Sequence, residues 1–173
     1  MGMLILITGG ARSGKSDFAA QLARTYGKNI AFLATCRPED DEMIERIMHH
    51  KRKRPENWHT FEEPYEIFST VKKIKGSFEV VIIDCLTLFV SNCFQKNHGE
   101  KHISKELNDV FKAVTESNLC VIMVTNELGS GIVPNNKLAR DFRDTAGRIN
   151  QLTAKNADEV YLMVCGMPLK LKG

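Results

Sequence analysis

Gly9-Gly10-Ala11-Arg12-Ser13-Gly14-Lys15-Ser16 follows the apolar run of residues 3–8 and precedes an amphipathic stretch over residues 15–26. The spacing is G-x-x-x-x-G-K-[ST], in the context that gives it meaning: a strand before it and a helix after it. Glycines at these places let backbone N–H groups curl around phosphate oxygens, and the helix N-terminus adds positive potential. Lys15 is then placed to reach the β- and γ-phosphates of a nucleoside triphosphate, GTP or ATP, and Ser16 to ligate Mg2+. Such a loop needs an acid for the metal, and Asp84 supplies one at the end of the apolar run 80–84. Alone, Asp84 would read as the cap of the following turn; beside this loop the metal role is favoured.

Outward from the loop, β-rich runs at residues 3–8, 30–35, 80–84, 120–125 and 160–165 alternate with helical patterns at 15–26, 40–51, 64–73, 104–117 and 137–156. Several strands are apolar nearly throughout, as in a parallel sheet covered on both faces. The expected fold is α/β, a three-layer P-loop NTPase of RecA-like type with a mostly parallel central sheet, in one domain over residues 1–173. Residues 95–102 are polar and read as a surface loop. Four strands end in Thr8, Thr35, Asp84 and Thr125, so polar groups collect along the carboxyl edge where open α/β sheets bind ligands.

Length and charge agree with one anion-binding domain. The chain has 173 residues, a net charge of +3 and 43% hydrophobic residues. That balance gives a real core and no bulk attraction to nucleic acid or membrane, so any anion must be held locally. No apolar run approaches the ~18 residues of a membrane span, and the N-terminal pattern is not that of a secretory signal. Five scattered cysteines without a C-x-x-C pair argue against a disulfide framework or zinc cage. The expected location is the cytoplasm.

Residues 40–54 open with Asp40, Asp41 and Glu42 and close with Lys51, Arg52, Lys53 and Arg54, complementing a helix dipole at both ends. At about 100° per residue, Met43, Ile44, Ile47 and Met48 share an arc of roughly 140°, with His50 about 20° beyond its edge. His49 projects among Glu42, Glu45 and Arg46. His50 is therefore expected to be half-buried and His49 solvated. A neutral imidazole is a competent nucleophile toward activated phosphorus, and neighbouring cations keep it unprotonated. From these residues alone the plainer reading prevails: two histidines serve the helix dipole, and the basic run is a solvated face.

The same chain also carries Ala34-Thr35, Asp41-Glu42-Met43, His49-His50-Lys51, Arg54-Pro55 and Trp58. Later come Val124-Thr125-Asn126-Glu127-Leu128-Gly129, Gly131-Ile132-Val133-Pro134, Leu138-Ala139-Arg140, Phe142-Arg143-Asp144 and Ala146-Gly147-Arg148 with Asn150. Together, in order and over essentially the whole chain, these segments closely resemble the bifunctional adenosylcobinamide kinase/adenosylcobinamide-phosphate guanylyltransferase family of cobalamin biosynthesis. The P-loop is common to many families; its combination with the histidine helix and the Asn-Glu-x-Gly-x-Gly-Ile-Val-Pro loop is far more specific.

The resemblance implies two reactions. A nucleoside triphosphate phosphorylates the terminal hydroxyl of the corrinoid's aminopropanol arm. GTP then gives GMP to a histidine with loss of pyrophosphate, and the phosphorylated corrinoid takes that GMP to become adenosylcobinamide-GDP. Carried over residue by residue, the guanylylated histidine is His50. Nucleotide contacts fall on residues 9–16, on Thr35, Cys36 and Arg37, on Lys51, Arg52, Lys53 and Arg54, on Glu62 and on Asp84. The assembly implied is a homotrimer.

Asp84 stands where relatives can carry glutamate, and Cys36, Arg37, Arg52 and Lys53 are expected to contribute backbone contacts. Arg140, Arg143 and Arg148 either shape a corrinoid or subunit surface or are ordinary helix charges. Trp58 and Phe61 are either core or substrate contacts. One competing reading is a single-activity small-molecule P-loop kinase in which His50 only binds phosphate. A GTP-dependent switch is disfavoured, because Thr125-Asn126-Glu127-Leu128 lacks the lysine and aspartate of [NT]-K-x-D.

Overall fold

A computed structural model describes residues 1–38 and 41–173, without the side chains of Glu42, Met43, Arg46, His49, His50 and Lys53. The expected burial of His50, the solvation of His49 and the helix start at Asp40 therefore lie outside the described residues. The elements are β1 (Met3–Gly9), α1 (Lys15–Tyr26), β2 (Ile30–Ala34), α2 (Asp41–Lys53), β3 (His59–Glu62), α3 (Ile67–Ile74) and β4 (Val80–Asp84). They continue as α4 (Leu86–Gln95), α5 (Glu100–Thr115), β5 (Cys120–Val124), α6 (Lys137–Asn156), β6 (Glu159–Val164) and β7 (Met167–Lys172).

The strands form one sheet in the order β3-β2-β4-β5-β1-β6-β7. Every pairing is parallel except β6 with β7. Side-chain alternation sorts each central strand between two cores. Leu4 and Leu6 of β1, Val81 and Ile83 of β4, and Val121 and Met123 of β5 face α3, α4, α5 and α6. Ile5 and Ile7, Val80 and Ile82, and Ile122 and Val124 face α1 and Trp58. Burial on both faces explains why these strands are apolar throughout, and the result is the expected three-layer α/β arrangement.

Three elements escape the sequence pattern. Leu86–Gln95 is so apolar that it shows little helical periodicity. It is nevertheless a helix, with Leu86, Phe89, Val90 and Cys93 buried and Phe94 edge-on to Phe142 of α6 at 5.8 Å. The short β3 and the solvent-exposed β7 are edge strands whose residues alternate weakly. Pro168 is tolerated in β7 because an edge strand need not donate from every N–H. The loop expected over residues 95–102 shrinks to residues 96–99, since Gln95 ends α4 and Glu100 opens α5. No helix among the described residues is long and apolar enough to cross a membrane.

The order places β5 between β1 and β4. The phosphate loop after β1 and Asp84 at the end of β4 therefore flank a one-strand gap on the carboxyl edge. Among the buried polar side chains, Ser13, Lys15, Thr35, Thr87, Asn92 and Thr125 all belong to this edge.

Candidate functional site

Residues 9–16 fold into the cradle their spacing calls for. Gly14 sits at φ 94° immediately before α1, a left-handed conformation that glycine adopts without penalty. No side chain caps α1 there, so the first N–H groups of the helix stay open to an anion. Within the loop the Ser13 N–H donates to the Gly10 carbonyl at 3.3 Å. Lys15 Nζ donates to the same carbonyl at 2.5 Å, folding the side chain back over the loop. Lys15 is 8% exposed. Burial lowers its pKa, while the Asp84 carboxylate opposes that shift.

Across the gap, Ser16 Oγ donates to Asp84 Oδ2 at 2.8 Å. A hydroxyl and a carboxylate in contact beside a phosphate cradle are the hard oxygen donors that suit Mg2+, an ion that keeps several waters and takes phosphate oxygens as further ligands. Among the described residues no three His, Cys, Asp or Glu side chains cluster as a metal cage; this pair fits magnesium held jointly with a nucleotide.

The edge is braced by a closed ring of hydrogen bonds. The Asn126 N–H donates to Thr87 Oγ1 at 2.8 Å, and Thr125 Oγ1 donates to Asn150 Oδ1 at 2.8 Å. Because the Thr125 proton is committed to Asn150, Thr87 is the donor in the 3.2 Å contact between the two threonine hydroxyls. Asn150 Nδ2 closes the ring on the Asn126 carbonyl at 3.1 Å. The turn after β5 is thus fixed by side chains from α4 and α6. The Glu127 N–H then donates to the Gly9 carbonyl at 3.0 Å, tying this turn to the phosphate loop.

Other expected site residues are distributed unevenly. Thr35 spends its hydroxyl structurally, donating to the Cys85 carbonyl at 2.8 Å and accepting from the Cys85 N–H at 2.9 Å. Cys36 is half-buried. Arg37 donates to Gln95 Oε1 at 3.1 Å and lies 5.6 Å from the Tyr65 ring centroid. Lys51 pairs with Glu62 at 2.6 Å, and Arg52 is exposed. Arg54 lies over the Phe32 ring at 3.4 Å. Burial lowers the pKa of its guanidinium, and the carboxylates of Asp84 and Glu62 counteract that shift. The Lys53 and His50 side chains lie outside the described residues. Trp58 is core, Phe61 packs against the core, and Arg148 pairs with Glu100 at 2.8 Å.

Sequence reasoning misses Thr87 and Asn92, both carried by the unrecognised α4. Asn92 Nδ2 donates to the carbonyls of Thr35 and Pro64, at 2.8 and 3.1 Å. The available signal was polar Thr87 and Asn92 inside an apolar run directly after the acid.

Comparison with known proteins agrees with this geometry. The chain is 40% identical to the bifunctional adenosylcobalamin biosynthesis protein CobU of Escherichia coli, over 98% of this chain and 100% of that protein. It is 39% identical to CobU of Salmonella typhimurium, over the same shares. The corresponding protein CobP of Pseudomonas aeruginosa is 36% identical, over 97% of this chain and 96% of its own length. Among solved structures, a KaiC-like protein from Pyrococcus horikoshii superposes with a TM-score of 0.56 at 18% identity, covering 93% of this chain and 70% of that one. That likeness establishes the RecA-like fold. The family model for cobinamide kinase / cobinamide phosphate guanyltransferase matches residues 5–171, and the chain belongs to that family.

Proposed function

We propose that one phosphate cradle serves both reactions of this bifunctional cobinamide kinase and cobinamide-phosphate guanylyltransferase, and that one histidine, His50, carries the GMP in the second. Family membership supplies the two activities; the residue roles are argued from the site. The observation that supports them most is Arg54, four positions after His50, which lies over the ring of Phe32 in β2, the strand paired with β4 and its terminal Asp84.

In the kinase reaction, the corrinoid hydroxyl oxygen attacks the γ-phosphorus of a nucleoside triphosphate, the Pγ–O bond to the β-phosphate breaks, and the hydroxyl proton is released. Lys15 and the N–H groups of the loop position and neutralise the triphosphate. Ser16 and Asp84 would hold Mg2+, which supplies further charge neutralisation at the phosphates. In the second reaction the His50 imidazole attacks the α-phosphorus of GTP, and the bond to the β-phosphate oxygen breaks. Pyrophosphate leaves as an anion stabilised by the cradle. A phosphate oxygen of the corrinoid then attacks the same phosphorus, the P–N bond breaks, and His50 returns to its neutral form. Lys51 and Arg54 add positive potential along this path. Thr35, Cys36, Arg37, Arg52, Lys53 and Glu62 complete the nucleotide's surroundings.

The reading includes a single domain, a homotrimeric assembly and a cytoplasmic location. Sedimentation of the purified protein as three chains would support the assembly; one chain would contradict it. A shared cradle requires Lys15→Ala to lose both corrinoid phosphorylation and GMP transfer. Retention of either activity would mean two separate nucleotide sites, and release of corrinoid phosphate without any GMP transfer by the wild-type protein would leave a kinase alone.

A further inference from the structure

The β6–β7 hairpin is hard to explain as core. All six residues of β7 are exposed, and it is the one antiparallel strand of the sheet. Its turn, however, lies against the phosphate loop. Gly9 pairs with Met163 in the parallel β1–β6 ladder, so the residues that follow Met163 continue past the end of β1. Cys165 at φ 52° and Gly166 at φ 80° link Val164 to Met167 as a two-residue turn with both central residues left-handed, the type I′ pattern. From that turn the Gly166 N–H donates to the Ser13 carbonyl at 3.0 Å. The packing is close: a Cβ on Gly14 would lie 3.1 Å from Gly166 Cα, and one on Gly9 would lie 2.6 Å from the Met163 carbonyl oxygen.

We propose that this hairpin is a clamp on the phosphate loop and that Gly166 is its positioning residue. The Ser13–Gly14 peptide is planar and trans, so its carbonyl and its N–H point in opposite directions. Holding the Ser13 oxygen against Gly166 turns the Gly14 N–H away from the hairpin and fixes it as a phosphate donor. Gly166 acts on the nucleotide only through that peptide. The left-handed backbone at Cys165 and Gly166 matters to the contact because it shapes the tight turn that presents the Gly166 N–H to the loop. Bulk is not the constraint, since a Cβ on Gly166 would meet nothing within 4 Å. The inference rests on reading residues 9–16 as the phosphate cradle.

The test compares Gly166→Val, which disfavours the left-handed region, with Gly166→Asn, which tolerates it. GTP and GMP binding to the full-length protein are measured by calorimetry, alongside melting temperature. Gly166→Val is expected to weaken GTP about five- to tenfold while GMP binding changes less than about twofold, as loss of one oriented donor requires. Gly166→Asn is expected to restore the wild-type ratio. Equal losses for GTP and GMP that track melting temperature, or no loss for GTP, would overturn the clamp. If Gly166→Val does not fold, Gly166→Ala is read by the same ratio. Lys15→Ala separates the two ideas: unchanged GTP affinity there removes the cradle itself, whereas a loss there with none at Gly166 removes only the clamp.

Discussion

Ser16 Oγ donates a 2.8 Å hydrogen bond to Asp84 Oδ2, joining residues 68 positions apart in sequence. The contact exists because β5 alone separates β1 from β4, leaving the strand ends close enough for a side chain from each to meet. In the proposed account it is also where Mg2+ would be held.

Asp84→Asn keeps the size and the hydrogen-bond acceptor but removes the charge. Both activities are expected to fall about a hundredfold in kcat, the scale of losing a charge-stabilising group in an enclosed site. Added Mg2+ restores only part of the loss. Steady-state kinetics across a magnesium titration checks this; unchanged kcat would remove Asp84 from the metal shell.

Arg54 offers a second handle on the cradle. Arg54→Lys keeps the charge but loses the planar stack on Phe32, an interaction worth about 0.5–2 kcal/mol. The KM for GTP is expected to rise about three- to tenfold, and the melting temperature to fall by roughly 1.5–6 °C.

The Thr87, Thr125, Asn126 and Asn150 ring predicts a cooperative penalty. Asn150→Ala takes the donor from the Asn126 carbonyl and the acceptor from the Thr125 hydroxyl, at about 1–3 kcal/mol. Melting should fall by roughly 3–9 °C for a domain of this size. Thr87→Val added to Asn150→Ala should cost less than the sum of the separate losses, because both break one network.

Burial pushes the thiol pKa values of Cys85, Cys93 and Cys120 up to about 12 from an ordinary 9.0. Protonated thiols are thus favoured in the folded state. Their contribution to stability is complete below pH 9 and is lost as pH rises toward 12. A pH series of denaturant unfolding should show that alkaline decline. At pH 8 a thiol reagent should label exposed Cys165 readily, and these three cysteines only after unfolding.

The parts of the molecule that were legible are those whose chemistry is local. Residues 9–16 carry their own turn, helix start and lysine, and the buried strands announce themselves by apolar runs. α4 was illegible because a helix buried nearly all round loses its amphipathic period, and Thr87 and Asn92 went with it. β7 was illegible because an exposed edge strand has no apolar face to repeat. The Gly166 contact with Ser13 depends on a sheet neighbour 153 residues away, which no local spacing reveals. For His50 the helix pattern gave only an expected half-burial, which lies outside the described residues, and the covalent role proposed for it came from resemblance.

That role is tested most directly by incubating the protein with GTP labelled at the α-phosphate, quenching in alkali and mapping the label after digestion. Wild type and His49→Ala should each carry one GMP on the peptide containing residue 50, released by acid, and His50→Ala should carry none. An unlabelled wild-type protein, or a label that persists in His50→Ala, would contradict the account.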